Sequence, residues 1–551
     1  MDLPPVSEYD MYIKNFGRTN TKQAYVQYND DNLDRDIQTD EVETLEKWTQ
    51  FPAAGAVVCG GPTSDSDLSL DFLSTTRIDT PRLTNFLRSA CQVMSVLIEE
   101  DRAEMQPSQI FKSKGTSLSV CDGCFQFNTN LPFLHDREVH SLSLSLVQRQ
   151  TIISVHGLPR KPSAVRLDSK FILCVWNIWE PSSPQKVLIC ESEVRCCCFS
   201  PGKATLVFAG TVDGSVVLWD LRERSSLHHT MKIGDFEWIF REPTFCTDGI
   251  LSTVNHSCPV QAIETISIAA ADGKHHSLSF SVPHEESSGL SFQLASLDES
   301  GLLNLWVVVE LPKADIAGSQ LDLGLIPGGK VKLIHSSRIN MNSNILQMGA
   351  HLGVLQTSSL KFLPSDPNHF IMGTDTGLVS HGTRHGLRTS PRLYKPQQNG
   401  PRPVQVTCLN FCPFEETLFL VGCSDGSVRL HRTTSEYPVF QWNDSTKGQP
   451  VVFMQWSFTR PAVFFILDAE SYIYIWDLLD NDMQPVAQEL IQSDKVTTIA
   501  VLGDPEKPNA LSGLVLAKQS GTIEIQYLNK RWTVIQHEEL KKLHKILQFA
   551  I

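Results

Sequence analysis

Cys121-x-x-Cys124, followed by His135 and His140, has the residue types of a tetrahedral zinc site, two thiolates and two imidazoles. The gap between the Cys pair and the first His is shorter than in a zinc finger, and the flanking sequence does not read as ββα. The set is therefore read as structural, and no metal is expected. There is no Gly-x-x-x-x-Gly-Lys-Ser/Thr loop to cradle a phosphate and no Gly-x-Ser-x-Gly elbow to expose a serine nucleophile. Asp213 and Asp425 each precede a glycine, where a carboxylate bonds the backbone of a turn. His431 stands where sister segments carry Trp and is expected to pack, not to act as a base. Cys196, Cys197 and Cys198 alternate across a predicted strand and cannot share one disulfide frame. They read as small buried hydrophobes in a reducing compartment. No catalytic, cofactor-binding or metal-binding residue is expected.

The elements behind these residues repeat. Asp213-Gly-Ser-Val-Val-Leu-Trp-Asp-Leu-Arg222 is a tight turn, then a β-branched strand, then Trp219-Asp220, the dipeptide that closes a propeller blade. The unit returns at Asp298–Trp306 with Gly301, at Asp375–His381 with Gly377, and at Asp425-Gly426. It returns again at Asp468–Trp476 and at Gln519–Gln526 with Gly521, and a looser copy upstream ends at Trp176. Apolar runs ending in a small residue precede these units, and Pro-led turns precede several of the runs. The regular spacing is roughly 43 to 50 residues, near the blade period. The blade anchors are thus Trp176, Asp213, Gly214, Trp219, Asp220, Gly301, Trp306, Gly377, Asp425, Gly426, Trp476 and Gly521. The expected fold is all-β, a seven-bladed WD40 β-propeller with an N-terminal extended and helical region and a short C-terminal helix. The long intervals on either side of Trp306 are read as two insertions.

The 551-residue chain carries a formal charge of −14, which disfavours a general nucleic-acid or anionic-membrane surface. No apolar run approaches the roughly 20 residues that span a bilayer, so no membrane insertion is expected. Residues 1–58 read as an extended pre-propeller segment and 59–80 as a linker. Residues 81–104 hold an amphipathic helix, with Thr80 as N-cap, Pro81 at the first turn, and Leu83, Phe86, Leu87, Val93, Met94 and Leu97 on one stripe. That stripe is a candidate docking helix. A connector at 105–138, the propeller at 139–536 and a C-terminal amphipathic helix at 537–551 complete the expected organisation.

Asp34-Arg-Asp-Ile-Gln-Thr-Asp-Glu-Val-Glu-Thr-Leu-Glu-Lys-Trp-Thr-Gln-Phe-Pro52, set ahead of a WD propeller, resembles the pre-propeller region of the dynein intermediate chain family. Asp10–Asn20 is similar to the segment before it. The helix at 81–98 sets the chain apart from the cytosolic cargo motor's intermediate chains and draws it toward those of cytoplasmic dynein-2, the retrograde motor of intraflagellar transport. The resemblance implies a non-catalytic motor subunit whose propeller binds the dynein-2 heavy-chain tail. The implied partners also include a second, related intermediate chain and dimeric dynein light chains. It places the protein in the cytoplasm, on the cytoskeleton and in the cilium, at the axoneme and the basal body or centrosome. Arg35, Ile37, Gln38 and Thr39 match a light-chain motif that adds a strand to its partner's sheet edge. In the family such sites lie in a long extension; little chain precedes residue 34 here, so the sequence is read as truncated upstream or a short form. The competing reading rests on Trp219-Asp220-Leu221-Arg222, a Trp-Asp-x-Arg match to propellers that serve as substrate receptors of cullin-RING ubiquitin ligases.

Overall fold

Alternation of apolar and small residues along short strands, punctuated by glycine turns, gives seven sheets in the computed structural model, antiparallel but for one strand pair of the first. It describes residues 118–549 apart from 162–166, 202–203, 235, 250–253, 267–290, 315–323, 342–355, 398–403, 493 and 505–511; upstream it describes only the helical residues 83, 84, 86–91 and 94. Each sheet is one blade and holds one of the seven anchor units. The innermost strands are Arg137–Leu144, Val194–Phe199, Val260–Ile266, Thr357–Phe362, Val406–Phe411, Val451–Trp456 and Val496–Leu502. Each neighbours the next, and the last neighbours the first, so the ring is closed. The expected blade count and the two insertions hold.

Second strands such as Leu206–Thr211, Leu418–Cys423 and Val463–Asp468 are buried at every position, because each is covered on both faces by adjacent blades. Their continuous apolar runs follow from that double burial. Side chains of the inner strands also stitch one blade to the next. Thr497 donates to Val139 O (2.7 Å), Ser358 donates to Val406 O (2.5 Å), and Asn410 and Gln455 accept the Trp456 and Val501 N–H groups at 3.0 and 3.2 Å.

Closure comes from a segment that sequence spacing assigns elsewhere. Cys121–Gln126, inside the expected connector, pairs antiparallel with Ile523–Leu528 and is the outer strand of the seventh blade. A boundary at 139 cuts this strand away. It was missed because Cys-Asp-Gly-Cys-Phe-Gln carries no alternation of its own. The first blade also departs from four strands. The insertion after Trp219-Asp220 folds into a hairpin, His229–Ile233 and Phe236–Arg241, whose second strand pairs in parallel with Lys186–Cys190. That sheet has six strands.

At the other end, Glu539–Phe549 is helical as its i, i+3, i+4 spacing predicts, and it caps the propeller. Leu543 and Leu547 are fully buried against the fifth and sixth blades. The buried Arg460 guanidinium fixes its start: Arg460 lies 2.8 Å from Asp477, the Asp of Trp476-Asp477, and 3.2 Å from Glu539. It also donates to Arg531 O at 2.9 Å. Burial is the main influence on Asp477 and leaves its carboxyl above the usual range despite Arg460. Removing one partner of such a buried set costs about 3–5 kcal/mol, because the others stay desolvated. In the separate upstream unit, Leu83, Phe86, Leu87 and Met94 of the expected docking helix are helical and exposed. Val93 and Leu97 lie outside the described residues, as do the 1–58 and 59–80 segments with Arg35, Ile37, Gln38 and Thr39.

The closing strand makes a direct prediction. A chain beginning at Leu118 melts in one transition, whereas one beginning at Phe127 exposes the Ile523–Leu528 edge and loses a cooperative transition. Differential scanning calorimetry with light scattering distinguishes them, and equal melting of the two would contradict the closure.

Candidate protein-binding surface

The side chains with chemical potential are built into the blades. In the third blade the Trp306 indole N–H donates to Ser296 Oγ (2.8 Å), Ser296 Oγ meets His256 Nε2 (2.7 Å), and His256 Nδ1 meets Asp298 Oδ2 (3.0 Å). All four residues are buried. A Ser–His–Asp set of this kind looks like a hydrolytic triad, but here the serine oxygen accepts from the indole and the whole set is closed off from solvent. Burial pushes the Asp298 carboxyl up; hydrogen bonds from His256, the Leu302 N–H and Ser300 outweigh it and hold the group below the usual carboxylate range. The set ties the linker before the blade to its second and third strands. His256 and Ser296 were not singled out in the sequence; the signal would have been a His some forty residues ahead of the Asp-turn-Trp unit. The first blade has a shorter version, Trp176 donating to Ser154 (2.8 Å) beside His156 (2.9 Å).

His431 packs as expected. Its ring stacks on Phe419 (5.3 Å, 11°) and meets Tyr394 edge-on (5.6 Å, 69°). Burial, assisted by Arg429, lowers its pKa to about 3. Cys196, Cys197 and Cys198 are free thiols on one strand, all raised by burial, Cys197 to about 12. Cys121 and Cys124 lie on the closing strand, with Cys124 buried, and His135 sits in the turn that follows. Among the described residues no three His, Cys, Asp or Glu side chains come together as metal ligands.

The turn anchors are backbone devices. Gly426 has φ of +85°, and a Cβ there would meet Thr446 Oγ1 at 2.3 Å and Gln449 O at 2.7 Å, so only glycine fits the turn against the next linker. The sixth blade carries Ser471 in this place at φ +70°. Its hydroxyl accepts the Val496 N–H (2.9 Å), a bond to the seventh blade that offsets the left-handed strain of about 1–2 kcal/mol.

Arg222, the basis of the ligase-receptor reading, is engaged within the fold. Its guanidinium forks onto Asp220 through Nε–Oδ1 (2.9 Å) and Nη2–Oδ2 (2.8 Å) and reaches Glu310 at 3.2 Å. Hydrogen bonding to Asp220 raises its pKa above the ordinary arginine value. Asp220 is buried and ties the third strand to this corner, so Trp-Asp-x-Arg is explained as a structural corner.

What is left for binding is the surface. One mouth of the central channel is a cavity of about 530 Å³, ringed by the ends of the inner strands and the Pro201, Pro364 and Pro413 turns. Leu142, Leu144, Phe411, Phe453 and Phe458 line it, and of its charged groups Glu264 pairs with Lys361 and Arg149 with Asp504, while Glu416 also lines it. This lining offers contact area and no cluster of acid, base and nucleophile.

The comparisons agree with this reading. The WD domain, G-beta repeat family matches residues 182–220 and 395–432. Over 550 residues, all of this chain, it is 56% identical to cytoplasmic dynein 2 intermediate chain 1 of Mus musculus, covering 55% of that protein. It is 55% identical over 553 residues to the Homo sapiens protein of the same name, covering 52%. A cytoplasmic dynein 1 intermediate chain of Drosophila melanogaster is 22% identical over 395 residues, 71% of this chain and 47% of the fly protein. The chain spans about half the length of the curated relatives it matches.

Two predictions follow from the buried side chains. His431 is held neutral, so between pH 3 and roughly 6.5 the unfolded chain binds more protons than the folded one. Its contribution is complete above about pH 6.5 and falls as pH drops toward 3, by about 2 kcal/mol at pH 5. Urea midpoints at pH 7 and pH 5 should therefore differ less for His431→Phe than for the parent chain. Separately, Arg222→Ala leaves the buried Asp220 short of donors and lowers stability by about 1–3 kcal/mol, read as a lower urea midpoint. An unchanged midpoint would mean the corner is not structural.

Proposed function

We propose that this chain, which belongs to the dynein intermediate chain family, is the non-catalytic subunit through which a dynein-2 heavy chain is joined to its smaller chains. The propeller binds the heavy-chain tail, and the residues before it recruit light chains, the whole serving retrograde intraflagellar transport and so the assembly and maintenance of cilia. The observation that carries this reading is 56% identity in an alignment that spans the whole chain, the pre-propeller residues included. The closed propeller supports it, because a stiff wheel with an apolar mouth gives a partner area without chemistry.

Within this reading Arg35, Ile37, Gln38 and Thr39 form an extended light-chain site, and Leu83, Phe86, Leu87, Val93, Met94 and Leu97 form a docking stripe for another subunit. A second, related intermediate chain shares the motor. Several modest sites on one scaffold raise one another's effective concentration without new contacts. The protein acts in the cytoplasm, on the cytoskeleton and in the cilium, at axoneme and basal body.

Co-expression of the full chain with a dynein-2 heavy-chain tail tests the proposal. A stoichiometric complex on size exclusion, retained by Arg222→Ala, is the expected result. A folded chain that elutes apart from the tail would refute it, and loss of binding to a cullin-RING adaptor on Arg222→Ala would favour the receptor reading instead.

A further inference from the structure

Between Asp375 and Glu415 the chain carries Arg384, Arg388, Arg392, Lys395 and Arg402 and not one carboxylate, in a protein of net charge −14. Three of these cations stand on one loop, residues 384–392, which joins the third strand of the fourth blade, Val379–Thr383, to its outer strand, Leu393–Tyr394. The structure describes this loop and the chain on both sides of it, 356–397, without a gap. The loop lies on the side of the wheel that holds the channel mouth. The Arg384 N–H donates to Asn368 O (2.9 Å) in the turn after Pro364, and Pro364 lines the mouth. Hydrogen bonds hold the loop in one shape. Thr383 Oγ1 donates to Leu387 O and Thr389 Oγ1 to His381 O, each at 3.0 Å, and His381 Nδ1 donates to Pro391 O at 2.9 Å. At the tip Gly386 turns the backbone at φ +68°, and a Cβ placed there would meet nothing within 4 Å. Leu387 beside it is 69% exposed, and His385 and Arg388 are exposed as well.

The charge on the loop has no counterpart. Asp366 pairs with His369 (3.7 Å) and Glu436 with Lys395, and among the described residues no carboxylate pairs with Arg384, Arg388 or Arg392. Arg384 Nη2 donates to the neutral Gln293 Oε1 of the third blade, and its Nε is buried without an acceptor. Burial accordingly lowers the Arg384 pKa, with no anion to oppose the shift. A partly desolvated guanidinium beside two further cations gains from carboxylates that another molecule brings. A lone exposed leucine or arginine is ordinary on a surface. A fixed apolar tip flanked by unpaired cations has instead the makings of an anchor with a charged rim. The net charge of −14 repels a long polyanion such as nucleic acid, whereas a short acidic segment meets the local positive charge within a Debye length.

We propose that residues 384–392 form a docking loop for an acidic segment of a partner protein. Leu387 packs among the apolar side chains of that segment, and its carboxylates pair with Arg388 and Arg392. This surface goes beyond the motor-subunit reading and stands whether or not a motor subunit supplies the segment.

The test titrates the full chain into a capped, fluorescent peptide of Glu-Glu-Leu repeats, with a peptide carrying Lys in place of Glu and a single-stranded oligothymidine of similar length as controls. Anisotropy should show the acidic peptide binding, and both controls roughly tenfold or more weaker. Amide exchange should slow within 384–392 when the acidic peptide is present. Arg388→Glu with Arg392→Glu should weaken that binding at least about tenfold, and Leu387→Ala by roughly threefold or more, each with an unchanged melting temperature. Absence of binding, equal binding of the acidic and basic peptides, or affinity untouched by Leu387→Ala and by the double variant would each overturn the proposal. So would an oligothymidine that binds as tightly as the acidic peptide, which would mark a general polyanion site instead.

Discussion

Ring closure is the constraint on which the rest of the structure depends. A blade buries its second strand on both faces only if a neighbour stands on each side, so one missing junction exposes two apolar sheets at once. The seventh and first blades meet face to face through residues such as Val515, Ile525, Ile152 and Cys174, and Cys121–Gln126, as the outer strand of the seventh blade, ties the two ends of the described propeller by its antiparallel ladder with Ile523–Leu528. The inner-strand bonds from Thr497, Ser358, Asn410 and Gln455 then hold the blades at their spacing. The buried Arg460–Asp477–Glu539 set fixes the C-terminal helix against the same wheel.

Closure also explains why the chemically suggestive residues do no chemistry. The second strands are buried at every position between blades, so a His, Asp or Ser placed against them needs partners within the fold or must stay neutral. His256, Ser296 and Asp298 satisfy one another and Trp306, and Arg222 satisfies Asp220. His431 solves the same problem by staying neutral among aromatic rings. The described channel mouth instead presents Leu142, Leu144, Phe411, Phe453 and Phe458 at the surface of this rigid body.

Much of this was legible in the sequence. Glycine at φ > 0 in the turns and Trp at the ends of the third strands recur often enough to give the seven blades and both insertions. The C-terminal helix followed from its spacing. What was not legible was nonlocal. Nothing in Cys121–Gln126 indicates a partner four hundred residues away, since an outer strand is chosen by its neighbour's free edge and not by its own pattern. The hairpin at 229–241 was read only as part of an insertion, because the strand it pairs with, Lys186–Cys190, lies in the first blade while the chain flanking the hairpin builds the second. Ser471 in a glycine place was readable only once its bond to Val496 could be seen.

The most direct measure of the account is native-state amide exchange along Ile523–Leu528. If Cys121–Gln126 closes the wheel, the ladder amides of Ile523–Leu528 exchange only through global unfolding, as slowly as those of Val463–Asp468 in the sixth blade. Rapid exchange of that strand while the sixth blade remains protected would show an open ring and contradict the account.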